Sequence, residues 1–372
     1  MKYYIISGEA SGDLHGSNLM KALFEKDSNA EIRFWGGDLM EQVGGTMVKH
    51  YRDLAFMGFA EVLMNITTIF KNLNYCKKDL LSFKPAVLIL IDYPGFNMRI
   101  AEFAKKKGIK VHYYISPQIW AWKENRIKKI KRDVDEMIVI LPFEKDFYEK
   151  KHNFPVHFVG HPLIDAIANR VQVGEKSFRT AHNLSDKSII ALLPGSRKQE
   201  IRKLLSVMVK MADKFTEYQF VIAGAPGQDY EFYRQFLEND TIKFIHNKTY
   251  DLLSISYAAI VTSGTATLET ALFKIPEIVC YKTSWLSYEI GRRLVNLKFI
   301  SLVNLIMDKE VVKELIQHEF NETNLEKELH KILDDYQRAV LFLDYYDLER
   351  NLGGKGASGK AADLIIKRTL NP

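Results

Sequence analysis

Cysteine is nearly absent: Cys76 and Cys280 are the two in 372 residues, far apart and outside any Cys-x-x-Cys or His/Cys cluster. That scarcity argues against a disulfide scaffold or a structural zinc site and fits a reducing compartment. Long apolar runs are missing as well. No window holds eighteen consecutive apolar, uncharged residues, so no bilayer-spanning helix is expected. The opening run, residues 1–8, is too short for a signal peptide, and charge follows at Glu9 and Asp13. A cytoplasmic protein, soluble or peripheral, is the expectation. Charge of one sign is scarce too: 52 Lys and Arg face 46 Asp and Glu, a net +6. So dilute an excess permits an anionic partner without selecting one, and no nucleic-acid recognition motif accompanies it.

What is present is a composition 47% hydrophobic and 26% charged, ordinary for globular chains, at a length that suggests roughly two domains. Short apolar runs stand at 3–7, 32–35, 86–91, 111–115, 137–140 and 156–159, most of them separated by stretches of helical period. Continuous apolar runs between helices read as strands of a parallel sheet covered on both faces. The rhythm restarts at 188–193, 219–223, 242–245, 259–262 and 277–281. The reading is α/β: two Rossmann-like doubly wound domains facing across a cleft, with the hinge about 160–186. The expected limits are 1–165 and 166–344, with helices from about 345 to 372 returning to the first domain.

Three attractive motifs fail on context. Gly354-Lys-Gly-Ala-Ser-Gly359-Lys360 has P-loop spacing, but Ala361 stands where a magnesium-binding hydroxyl is required and no strand precedes it. It reads as a flexible break between two helices. Gly8, Gly12 and Gly16 miss the dinucleotide spacing. Asp133-Val134-Asp135 precedes an apolar run instead of following one, and reads as a solvated turn.

The stronger signals follow predicted strands, where open α/β sheets bind ligands. Asp92 leads the segment 92–97 and reads either as a base or as a helix cap. Pro194-Gly195-Ser196-Arg197 and Ser263-Gly264-Thr265 are small-residue turns opening helices, suited to phosphate, with Glu269 one turn on to reach a ribose diol. Residues 123–133 are basic, with Lys128 and Lys129 among the cations, and follow an aromatic segment ending in Trp120-Ala121-Trp122. Residues 54–73 carry an apolar stripe at helical spacing that reads as core-facing or lipid-facing, with Met57 and Met64 off the stripe.

Eight segments together resemble the lipid-A-disaccharide synthase family: 7–13 (SGEASGD), 91–97 (IDYPGFN), 114–122 (YISPQIWAW), 141–144 (LPFE), 158–162 (FVGHP), 193–197 (LPGSR), 263–269 (SGTATLE) and 301–304 (SLVN). They stand in the family's order from about residue 5 to about 315; the tail is similar only loosely. The resemblance implies a GT-B glycosyltransferase joining UDP-2,3-diacylglucosamine to 2,3-diacylglucosamine 1-phosphate, with inversion. The products would be the β-1′,6-linked lipid A disaccharide 1-phosphate and UDP. It implies Asp92 as base, and Arg197 with Ser263, Gly264 and Thr265 on the diphosphate. Glu269 would hold the ribose, and Asn304 would offer its amide to the nucleotide or sugar. Glu9, Ser11, Asp13, Asn97 and Gln118 become candidates for the acceptor or its loops. No metal and no cofactor is expected, and oligomeric state is not readable. Met57, Met64, Lys128 and Lys129 would face an anionic membrane, placing the enzyme peripherally on the cytoplasmic face of the inner membrane.

Two departures matter. Gly95 stands where many relatives carry a second acid, which puts more weight on Asp92, and Val303 replaces the proline usual before the asparagine. Rival readings are another UDP-sugar enzyme of this fold, such as a UDP-GlcNAc 2-epimerase, a non-catalytic membrane-binding protein, and a nicotinamide oxidoreductase.

Overall fold

The central strands of this chain are apolar on both faces. Val87–Ile91 reads Val-Leu-Ile-Leu-Ile and Ile189–Leu193 reads Ile-Ile-Ala-Leu-Leu, with every residue buried. Such strands are stable only between two helical layers, and that is how the computed structural model arranges them. It describes residues 1–54, 66–225, 227–237, 241–285, 288–289 and 297–370.

The chain divides into two units: Met1–Ala168 with Leu352–Pro372, and Asn169–Asn351. In the first unit the strands are β1 Lys2–Ser7, β2 Glu31–Gly36, β3 Thr46–His50, β4 Val87–Ile91, β5 Lys110–Tyr114, β6 Glu136–Val139 and β7 His157–Phe158. Their order is β3-β2-β1-β4-β5-β6-β7, all parallel. In the second they are β8 Ile189–Leu193, β9 Gln219–Gly224, β10 Lys243–His246, β11 Ser256–Thr262, β12 Glu277–Tyr281 and β13 Lys313–Ile316. The order there is β10-β9-β8-β11-β12-β13, again parallel. Each sheet reverses its winding once, between β1 and β4 in the first and between β8 and β11 in the second. Crevices at the carboxyl ends of such strand pairs are where doubly wound sheets bind ligands.

The outermost strands are short and partly polar (β3 holds Lys49 and His50, and β13 opens Lys-Glu), which discourages edge-to-edge pairing. Core residues of the first unit include Tyr4, Ile6, Trp35, Leu88, Leu90, Tyr113 and Val139. Helix Ile66–Phe83 is tied to this sheet by Asp79, which accepts hydrogen bonds from Tyr4 (2.7 Å) and from both Nε and Nη2 of Arg33 (2.8 and 2.6 Å).

The glycine break expected to be flexible is held in place. It joins helix Asp335–Asn351 of the second unit to helix Ala357–Leu370 of the first. Asp165 accepts the amides of Gly356 (2.6 Å) and Ser358 (3.1 Å), capping the last helix, and His161 donates its amide to the Leu352 carbonyl at 2.9 Å. Gly160 and Gly353 meet back to back: a Cβ on Gly353 would lie 3.0 Å from the Gly160 Cα, and both have positive φ. At the other end Lys110 Nζ donates to the Thr369 carbonyl at 2.6 Å, and Lys26 pairs with Asp363. Helix Asp335–Asn351 stays with the second unit because Arg338, Leu341, Tyr345 and Leu348 are buried there. The Asp133–Asp135 turn is solvated only at Asp135, which is exposed. Asp133 is buried and paired with Arg132, while Asp135 accepts the Val111 amide and pairs with Lys105.

Candidate active site

At the first winding reversal Ser7 of β1 is the register partner of Ile91 of β4, so the segments after these strands meet. Gly8 is required here by close approach: a Cβ on it would lie 2.3 Å from the Tyr93 ring. Tyr93 in turn donates to the Leu54 carbonyl at 3.1 Å and stacks on Phe96. Asp92 and Tyr93 both hold left-handed backbone, at φ 41° and 48°, and Ile115 does so after β5 at 63°. Three such residues, one of them β-branched, store strain that the surroundings must hold, as functional sites commonly do.

The holding bonds are visible. The Asp92 amide faces the carbonyls of Tyr114 (3.3 Å) and Ile115 (3.2 Å). Its own carbonyl accepts from Asn97 Nδ2 at 2.7 Å and from the Tyr113 hydroxyl at 2.6 Å. Asn97, fully buried, also donates to the Ile91 carbonyl at 3.2 Å. This fixes the Asp92 main chain and leaves its carboxyl for chemistry. Burial pushes that carboxyl up to about 7, and the negative charges of Glu9 and Glu144 add to the shift; the Tyr93 amide, hydrogen-bonded to it, works the other way. An acid with a value near neutral suits general base work.

Of the other candidates in this unit, Glu9 is half-buried and close enough to act on Asp92, while Ser11 is exposed on the first turn of helix Ala10–Lys26. Asp13 is turned inward. Its two oxygens accept the amides of Gly37 (2.8 Å), Leu39 (3.1 Å) and Met40 (3.1 Å). It therefore caps helix Asp38–Val43. Gln118 is exposed. Lys128 and Lys129 lie on the exposed face of helix Ile127–Asp133, whose other face buries Ile127 and Ile130. Just before it Trp122 is exposed, with Lys123 Nζ 4.1 Å and the Arg126 guanidinium 5.6 Å from its ring. Met57 and Met64 fall outside the described residues. Of the stripe they border, Leu73 is buried and Phe70 is exposed.

At the second reversal, β8 and β11 end in the two turns read as phosphate sites. Gly195 has φ 103°, and Arg197 is the N-cap residue of helix Lys198–Met208, exposed and 3.4 Å from Glu200. Gly264 and Thr265 are exposed at the start of helix Thr265–Leu272, whose first N–H groups lack intrahelical acceptors. Ser263 donates its hydroxyl to the Ile300 carbonyl at 3.0 Å. Glu269 accepts from the Tyr250 hydroxyl at 2.8 Å; burial raises its carboxyl and that bond opposes the rise.

Asn304 departs from expectation. It is fully buried, and its amide is committed four times over: Nδ2 donates to the Val312 carbonyl (2.8 Å) and Glu314 (2.9 Å), and Oδ1 accepts from Val311 (2.8 Å) and Val312 (2.9 Å). Nothing remains to offer a nucleotide. Its partner Glu314, which sequence reasoning missed, also receives the amides of Ile300 and Ser301. Together they anchor the loop that accepts the Ser263 hydroxyl. Only an acidic residue in the short last strand hinted at this. Among the described residues no group of three or more His, Cys, Asp or Glu is placed to hold a metal ion, and no helix is long and apolar enough to cross a membrane.

Solved structures share this architecture at low identity. An S. aureus MnaA–UDP co-structure matches with a TM-score of 0.71 and 14% identity, covering 100% of this chain and 97% of that one. A Methanocaldococcus jannaschii UDP-GlcNAc 2-epimerase in complex with UDP-GlcNAc and UDP matches at 0.66 and 15%, covering 99% and 100%. A glycotransferase of kitacinnamycin matches at 0.66 and 12%, covering 99% of each. At such identities the likeness concerns the fold, two Rossmann-like units of the GT-B kind. Sequence relatives are closer. A lipid-A-disaccharide synthase of Syntrophus aciditrophicus is 40% identical over 97% of this chain and 96% of its own length. One of Coxiella burnetii is 39% identical over 91% and 90%. The family model for lipid-A-disaccharide synthetase matches residues 3–363, and with the motifs of both winding reversals inside that span, the chain belongs to the lipid-A-disaccharide synthetase family.

Proposed function

We propose that this enzyme transfers the diacylglucosaminyl group of UDP-2,3-diacylglucosamine to the 6-hydroxyl of 2,3-diacylglucosamine 1-phosphate. The acceptor oxygen forms a bond to the anomeric carbon as the bond from that carbon to the UDP phosphate breaks, with inversion to the β-1′,6 linkage. Asp92 takes the hydroxyl proton, and UDP leaves with the bonding pair. The observation that carries this reading is Asp92 itself: a carboxyl lifted to about 7 by burial, at the winding reversal, its main chain fixed by Asn97 and Tyr113. Glu9, Ser11 and Gln118 border the acceptor side.

In the second unit Arg197 and the helix N-terminus at Ser263, Gly264 and Thr265 stabilise the charge that develops on the leaving diphosphate. Glu269, steadied by Tyr250, takes the ribose hydroxyls. Because both substrates are acylated, the enzyme works from a membrane surface, peripherally and on the cytoplasmic face. Trp122 with Lys128, Lys129 and their neighbours supplies an aromatic anchor and cations for anionic headgroups, and Met57 and Met64 belong to the same proposed contact.

The test is UDP release in detergent micelles from UDP-2,3-diacylglucosamine, with and without the acceptor, in excess EDTA. Release is expected only with the acceptor, and it should survive EDTA. UDP binding without acceptor-dependent release would overturn the transferase. Arg197→Ala should raise the Kd for UDP about tenfold, as loss of one charge-assisted contact does. Calorimetric titration showing an unchanged Kd would remove Arg197 from the phosphate site.

A further inference from the structure

Glu144 is one of the most enclosed charges in the first unit, 1% exposed, in the turn after β6. Four donors converge on it. Oε1 accepts from the Ser116 hydroxyl (2.5 Å) and Trp120 Nε1 (3.2 Å); Oε2 accepts from the amides of Ile140 (3.2 Å) and Leu141 (3.0 Å). Three of these can only donate, and they occupy both oxygens, so they favour the carboxylate against the burial that raises it. An ion this deep stays only with such full satisfaction.

What Glu144 gathers is the segment that follows β5. Trp120 packs edge-on against Phe143 at 4.8 Å, and Pro117 accepts from the Tyr148 hydroxyl at 3.4 Å. The same segment begins with the carbonyls of Tyr114 and Ile115 that face the Asp92 amide, and Ile115 donates its own amide to Ile138 of β6. The ends of β4, β5 and β6 are thus stitched into one piece, with Asp92 on one side and Glu144 behind.

Resting on the reading of Asp92 as the base, we propose that Glu144 is a positioning residue for it. Glu144 pins residues 115–120, which carry the Asp92 main chain, and it places a fixed negative charge behind the Asp92 carboxyl. The titratable groups facing Asp92 are Glu9, Tyr93, Tyr113 and Glu144; Arg126 and Tyr148 act on Tyr113, whose hydroxyl is raised by burial. Glu9 and Glu144 both favour the protonated acid, so removing either charge lowers the pH at which Asp92 becomes a base.

The test is the pH profile of kcat in three enzymes. Glu144→Gln keeps the shape and loses the charge. It should lower kcat about tenfold and move the acid limb to lower pH, with UDP affinity unchanged. Glu144→Asp restores the charge and should return the limb to its wild-type position. A purely structural Glu144 would cost activity without moving the limb, and Glu144→Gln with wild-type kcat and limb would overturn the proposal outright. Should that variant fail to fold, the double change Ser116→Ala, Trp120→Phe removes two of the pins and no charge. It should lower kcat, and an unchanged kcat there would also overturn the proposal. A wild-type profile without an acid limb near 7 would instead overturn the assignment of Asp92 itself.

Discussion

Asp92→Asn should abolish turnover almost completely, by about a thousandfold, while leaving UDP affinity within about twofold of wild type. The asparagine is isosteric and the bonds that hold this position run through its main chain, to Asn97, Tyr113 and the end of β5. Geometry therefore survives and only the proton acceptor is lost. The pH dependence has a definite sign. An acid raised to about 7 is protonated and idle below that value, so wild-type kcat/KM should climb through pH 7 and level off on the alkaline side. The variant's residual activity should lack that limb. Near-normal turnover in Asp92→Asn would remove it from proton transfer.

The second large effect is one of stability. Asn304→Ala should strand the amide and the carbonyl of Val312 in the interior of the second unit, while the Val311 amide keeps the Lys309 carbonyl and Glu314 keeps the amides of Ile300 and Ser301. Each orphaned buried group costs about 1–3 kcal/mol; with partial relaxation the total is about 3 kcal/mol, enough to lower the Tm by about 6–12 °C. Enzyme that remains folded should still bind UDP, because the amide faces inward. A variant with wild-type Tm and lost UDP affinity would restore Asn304 to the nucleotide site. The position also shows why a motif residue need not touch ligand: by holding the loop at Ile300 through Glu314, it fixes the acceptor of the Ser263 hydroxyl.

Much of the architecture was legible because the signals are local. An apolar run of five residues such as Val87–Ile91 states its own burial, and the small-residue turn that follows states where the strand ends. Strands alternating with helical stretches leave little choice but parallel sheets, and in those the carboxyl ends are the ligand side. Asp92, Arg197 and the 263–269 turn became candidates by that reasoning, and the structure places each after a strand next to a winding reversal.

What escaped the sequence is what depends on partners far along the chain. Asp13 and Asp92 look alike in one dimension, each an acid just after a strand. Asp13 is consumed by amides about 25 residues away, whereas the bonds around Asp92 fall on its main chain. Asn304 looks available until β13 brings Glu314 and two amides to it. Glu144 reads as an ordinary acid in the first turn of a helix, and only the packing of β5 beside β6 gives it Ser116 and Trp120. Hydrophobic burial is written in the order of residues, because each side chain carries its own cost of exposure to water. The fate of a polar side chain is decided by which donors and acceptors the folded chain brings within about 3 Å of it, and that is a property of the tertiary structure.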